Sequence, residues 1–190
     1  MTDLSRSALI LVDIQNDFLP GGALAVPDGD GILEAVNALA RHPFRAVIAT
    51  QDWHPPQHCS FSTQGGPWPV HCVAGTHGAD FPQTLLPEPV THIIRKGVLR
   101  ERDSYSGFLD NDRATSTGLD GLLKGLDIEH VVICGLALDY CVTATALDAV
   151  KCGYRTEVVP EACRGIAPDP GDALNKFEKQ GVLLKSLNTF

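Results

Sequence analysis

Val131-Val132-Ile133-Cys134-Gly135-Leu136-Ala137-Leu138-Asp139-Tyr140-Cys141-Val142 is the stretch that decides the fold. Its first half is apolar and β-branched, the composition of a strand buried on both faces. Gly135 breaks that run. From Asp139 the period changes, and Val142, Ala146, Ala149 and Val150 fall near one face of a helix that Gly153 is placed to end. Asp139 is in position to cap that helix. Cys141 then lies in the first turn of a helix that starts just past the carboxyl end of a strand. Amide N–H groups there point outward, and the dipole favours a thiolate or an oxyanion. A small buried apolar cysteine would give the same local pattern, so the rest of the chain has to decide between the two readings.

Working outward, the same alternation recurs. Ala8–Val12 reads as a strand that delivers Asp13, Ala46–Thr50 as one that leads to Asp52, and Val90–Ile94 as one that delivers Arg95 and Lys96. Ile32–Leu39, Leu119–Leu126 and Asp172–Lys179 have helical spacing. Glu157–Pro160 belongs to a fifth strand and Val182–Leu187 to a last one. Strands alternating with helices predict an α/β fold, a mostly parallel sheet covered on both faces. Ligands bind such sheets beyond the strands' carboxyl ends, at a switch in strand order. Asp13, Asp52, Lys96 and Cys141 all fall there. Four chemically capable side chains at four strand ends favour the functional reading of Cys141 over the buried apolar one.

Composition narrows the possibilities. A chain of 190 residues fits one domain over 1–190 with one sizeable core. A net charge of −8 argues against a nucleic-acid partner. No apolar run is long enough to span a membrane, and none resembles a signal peptide. The six cysteines are expected to be reduced, and the protein cytoplasmic.

Two constellations carry chemistry. In Asp52-Trp53-His54 a carboxylate and an imidazole two residues apart point to one side of an extended chain, with Trp53 facing away. With a third ligand, for which His58 and His71 are the candidates, they would hold a metal ion with open positions. Cys141, Asp13 and Lys96 form the other set: a thiol, a carboxylate able to take its proton if its pKa is raised, and a cation to balance charge. Lys96 and the helix dipole are expected to outweigh Asp13 and hold the thiol pKa down. Phe18, Trp68 and Tyr105, in irregular segments beside these groups, could sandwich a flat ring.

Read together, Val12-Asp13-Ile14-Gln15-Asn16-Asp17-Phe18, Gln51-Asp52-Trp53-His54-Pro55, Trp68-Pro69-Val70-His71-Cys72-Val73, Lys96-Gly97, Tyr105-Ser106-Gly107-Phe108 and Gly135–Val142 occur in an order that resembles the nicotinamidases, or pyrazinamidases, among the isochorismatase-like hydrolases. The resemblance runs from about Leu9 to Gly165. It implies a three-layer, doubly wound sheet of six strands in the order 3-2-1-4-5-6. It implies Asp13, Lys96 and Cys141 as catalytic residues, the amides of Ala137 and Cys141 as an oxyanion hole beside a cis Leu136–Ala137 peptide, and Phe18, Trp68 and Tyr105 around the substrate ring. Asp52, His54 and His71 match the metal ligands, for one divalent ion per chain: zinc first, with iron or manganese as alternatives. His58 matches a position that ligates in only some members.

The implied reaction is hydrolysis of nicotinamide to nicotinate and ammonia through a cysteine thioester, a step of NAD salvage, with pyrazinamide as a further substrate. A small-molecule substrate is thus the expected partner, with homo-oligomerisation left open. Leu138, where relatives usually carry Thr, and Tyr140, where some carry His, depart from the pattern. Isochorismatase, ureidoacrylate or carbamoylsarcosine chemistry is the alternative within the superfamily, though those relatives generally lack the metal set. A non-catalytic metal-binding protein, or a thiol redox protein using Cys72 or Cys134, is the alternative outside it.

Overall fold

A computed structural model describes residues 4–190. Six strands, β1 (Ser7–Val12), β2 (Ala46–Asp52), β3 (His92–Lys96), β4 (His130–Leu136), β5 (Arg155–Arg164) and β6 (Leu183–Leu184), form one sheet in the order β3-β2-β1-β4-β5-β6. Every neighbouring pair is parallel, so the expected mostly parallel sheet is parallel throughout. Among the described residues four α-helices accompany it: α1 (Leu33–Ala40), α2 (Leu119–Gly125), α3 (Thr143–Lys151) and α4 (Gly171–Gln180). Connections leave β1 toward one edge and β4 toward the other. With right-handed crossovers this puts α1 on one face and α3, which packs against α4, on the opposite face.

The continuous apolar runs explain the centre. β1, β2 and β4 are buried at every residue, as strands covered on both faces must be. β3, at the edge, alternates between half-buried and exposed until Lys96, which is fully buried. Lys96 is therefore the last residue of a strand that starts two residues later than expected, rather than lying just past its end. β5 is longer than the sequence suggested. It carries Pro160 because β6 pairs only with Glu157 and Val158, which leaves nothing opposite Pro160 that needs an N–H. β6 shrinks to two residues.

Asp13, at the end of β1, and the turn after β4 face each other across the point where the connections part. β1 and β4 approach so closely there that a Cβ on Gly135 (φ +124°) would lie 2.2 Å from the Val12 carbonyl oxygen. Only glycine tolerates both that approach and that backbone.

Candidate active site

Beyond β4 the chain makes a cis Leu136–Ala137 peptide and then one π-helical turn, Leu138–Val142, that runs into α3. The Ala137 carbonyl accepts the Tyr140 and Val142 amides, each at 3.1 Å, and passes over the Cys141 amide between them. Asp139 does not cap the helix. Its carboxylate reaches the loop after β5 and accepts the Ile166 and Ala167 amides at 3.0 and 2.8 Å.

Cys141 is buried, and its Sγ lies 3.7 Å from Lys96 Nζ. Lys96 is held on several sides: by Asp52 Oδ1 at 2.5 Å, the Ser104 carbonyl at 2.8 Å and Asp13 Oδ2 at 2.9 Å. The last is a charge contact whose angle is not that of a hydrogen bond. Asp13 sits in the left-handed region (φ +49°) and is locked by Thr50 of β2, whose hydroxyl donates to Asp13 Oδ1 at 2.6 Å and accepts the Asp13 amide at 3.1 Å.

Burial dominates the ionisation of this trio. It raises the Asp13 pKa although the Lys96 ammonium pulls the other way. It pushes the Cys141 thiol well above its ordinary range, with Lys96 opposing and Asp13 reinforcing. The expectation of a depressed thiol pKa is therefore overturned: one cation and a short turn do not offset complete removal from water. Lys96 is the exception. Burial disfavours its charge, but Asp13 and Asp52 together keep its pKa raised well above normal.

Beside the trio lie Asp52, His54 and His71, all buried, with ligand-type atoms within 4.8 Å of one another. The Gln15 side chain braces Asp52: its Nε2 donates to the Asp52 and Ala79 carbonyls and its Oε1 accepts the Asp52 amide, all at 2.8 Å. His54 and Val73 form a parallel bridge, and Asp17 Oδ2 accepts the Cys72 amide at 2.7 Å, which together bring His71 back to His54. Trp53 faces away, under the Arg95 guanidinium at 3.8 Å.

The imidazoles are oriented as metal ligands usually are. His54 Nδ1 donates to the Gly97 carbonyl at 2.9 Å and His71 Nδ1 to the Pro69 carbonyl at 2.8 Å, leaving each Nε2 with its lone pair. His54 Nε2 is buried without a hydrogen-bond partner, 3.5 Å from Asp52 Oδ2. Burial would raise the Asp52 pKa, yet Lys96 and His54 hold it below the usual carboxylate range. An anionic oxygen and two imidazole nitrogens converging on one point fit a divalent cation.

His58 differs. It stacks on His54 with ring centroids 4.0 Å apart, but its Nε2 donates to the Arg102 carbonyl at 2.9 Å and its Nδ1 meets the Ser60 hydroxyl at 2.7 Å. Both nitrogens are engaged, so ligation by His58 would break a bond already made.

Cys141, Asp52 and His71 open into a cavity of about 430 Å³, its mouth included. Phe18, Trp68 and Tyr105 line it, together with residues that sequence reasoning did not place there: Leu24, Val26, Asp103, Tyr140 and Ile166. Trp68 Nε1 donates to the Tyr105 hydroxyl at 3.2 Å, and Tyr140 meets both rings edge-on, at 5.2 and 5.7 Å. Tyr140 adjoins Cys141 and could have been suspected. Leu24, Val26 and Ile166 are ordinary apolar residues in loops and carry no local signal.

Comparison with known proteins agrees with this geometry. The isochorismatase domain matches residues 7–182. The nicotinamidase of Escherichia coli K12 is 40% identical over 96% of this chain and 94% of its own length. The L. infantum protein PnC1, solved in complex with nicotinate, superposes with a TM-score of 0.95 at 40% identity, covering 98% of this chain and 95% of that one. The pyrazinamidase of Pyrococcus horikoshii, solved in complex with zinc, gives 0.87 at 43% identity, covering 95% and 99%.

Proposed function

The chain belongs to the isochorismatase family, and from that membership we propose that it hydrolyses nicotinamide to nicotinate and ammonia, and pyrazinamide likewise, as a step of NAD salvage. The observation that carries the reading is the buried contact set of Asp13, Lys96 and Cys141 opening, next to Asp52, His54 and His71, into one aromatic-walled cavity.

At rest the thiol is neutral. As Sγ attacks the amide carbon, Asp13 takes the thiol proton, and its raised pKa makes it a stronger base than an ordinary carboxylate. The amides of Ala137 and Cys141 receive the negative charge that develops on the carbonyl oxygen. The carbon–nitrogen bond breaks as Asp13 returns its proton to the leaving ammonia, and a thioester remains. Water then attacks the thioester, Asp13 takes a proton from it, and nicotinate leaves as the thiol is restored. Lys96 stays cationic throughout and keeps Asp13 and the sulfur near electrical balance.

Asp52, His54 and His71 would hold a divalent metal ion, zinc first among the choices, and that ion would supply a Lewis-acid anchor for the ring nitrogen. Phe18, Trp68 and Tyr105 flank the flat ring and exclude water.

Ammonia release from nicotinamide tests the reading. It should be lost in Cys141→Ala, and benzamide, which lacks the ring nitrogen, should be a far poorer substrate. Purified His71→Ala should carry much less bound metal than the parent, with His58→Ala affected less. An active Cys141→Ala protein, or full turnover in metal-free protein, would overturn the mechanism.

A further inference from the structure

Asp139 stands two residues before Cys141, yet its carboxylate serves another element. Each oxygen accepts one backbone amide, Ile166 at 3.0 Å and Ala167 at 2.8 Å. The residue before them, Gly165, comes so close that a Cβ there would lie 3.1 Å from Asp139 Oδ1. On the other side of Gly165, Arg164 Nε is tied to Asp28 at 2.8 Å. The loop between β5 and α4 is thus held at both ends of Gly165. Charge-assisted bonds to two successive amides fix its orientation as well as its position. Ile166, at the held end, lines the cavity with Leu24 and Val26 and is 36% exposed.

We propose that Asp139 is a positioning residue that latches Ile166 over the cavity mouth, and that this latch confines the site to small flat heteroaromatic amides without bulk on the ring. The proposal rests on the amidase reading above. The nucleophile turn and the specificity wall are then joined through one carboxylate. A ring substituent directed at this wall must displace Ile166, which the two bonds resist. When the latch is lost, Ile166 confines the unsubstituted ring less well, while the chemistry at Cys141 keeps its own partners, Asp13 and Lys96.

Asp139→Asn keeps the shape but presents an amide N–H₂ to one of the two backbone donors. Steady-state kinetics on nicotinamide and 5-methylnicotinamide would be measured for the parent, Asp139→Asn, Ile166→Ala and the double variant. For Asp139→Asn we expect KM for nicotinamide to rise about tenfold with kcat within about twofold, and selectivity to move toward the methylated ring as it does in Ile166→Ala. In the Ile166→Ala background, Asp139→Asn should add less than about a twofold effect, since both changes act on one wall. Equal losses on both substrates, or full additivity in the double variant, would overturn the proposal.

Hydrogen exchange at the Ile166 and Ala167 amides reads the latch without turnover. Protection in the parent and its loss in Asp139→Asn support it, and equal exchange in both ends it. Should the parent fail to hydrolyse nicotinamide at all, the amidase reading falls, and the exchange experiment alone decides the latch.

Discussion

Lys96 Nζ reaches two carboxylates, a backbone carbonyl and a thiol sulfur from a position closed to solvent. One cation between two anions leaves a net negative site, and a second negative charge on sulfur is what the resting state avoids. Cys141 is therefore expected to alkylate slowly at neutral pH, and faster as pH rises, with the exposed Cys152 reacting first. Asp13 raises the thiol pKa, so Asp13→Asn should accelerate iodoacetamide labelling of Cys141 while hydrolysis falls by about 10²–10⁴. Labelling and turnover that fall together would show that Asp13 does not oppose the thiolate. Asp13 must be ionised to act as a base, and burial raises its pKa. The acid limb of kcat/KM should therefore lie above the ordinary aspartate value of about 4. A limb at or below that value would contradict the assignment.

At the scale of elements, the strand ends were legible because an apolar run that stops at Asp, Lys or a turn before Cys leaves a clear boundary. Asp13, Asp52 and Cys141 could be found that way, and Asp-x-His pointed to a metal site with His58 or His71 as third ligand, between which only the family resemblance chose His71. What joins them was not legible. Gln15 holds the Asp52 backbone by two hydrogen bonds and the Ala79 carbonyl by a third, and Asp17 holds the Cys72 amide, all across long stretches of chain that no local pattern encodes. Asp139 carries the usual sign of a helix cap and does something else, because a π-helical turn redirects its side chain. Gln15→Ala should weaken metal binding about 10–100-fold in a chelator competition while helix content by circular dichroism is unchanged. Unchanged affinity would mean that Asp52 needs no brace. Gly135→Ala puts a methyl group into the Val12 backbone, and should cost more than about 2 kcal/mol in chemical denaturation. A loss below that would show that β1 and β4 can part without penalty.

Across the whole molecule, buried charges are distributed so that acid works against the fold. Burial raises the pKa of Asp148 and Glu157, but Arg113 overcomes it at Asp148, and His130 with Lys185 and Arg155 at Glu157, so both end below the ordinary carboxylate range. Asp52 behaves the same way. A depressed folded pKa contributes stability that is fully present above the unfolded value and lost as pH falls from there through the folded value. His130, lowered by burial although Glu157 opposes this, gives the same sign near the ordinary imidazole value of about 6.5. Asp13, Asp110 and His54, all raised, work in the opposite direction at higher pH. Tm in the presence of a chelator should therefore drop by at least about 5 °C between pH 5 and 2, and a flat or rising profile would reverse the sign. The strand order has a further consequence, for synthesis rather than chemistry. β1 is central, yet one of its neighbours is β4, and Ser7 meets His130 across 123 residues. A nascent chain emerging from the ribosome must keep that apolar strand waiting, one edge unpaired, until two thirds of the polypeptide has been made. Parallel pairing over such a span is slow and exposed to aggregation, so early termination products should depend on chaperones far more than the finished enzyme does.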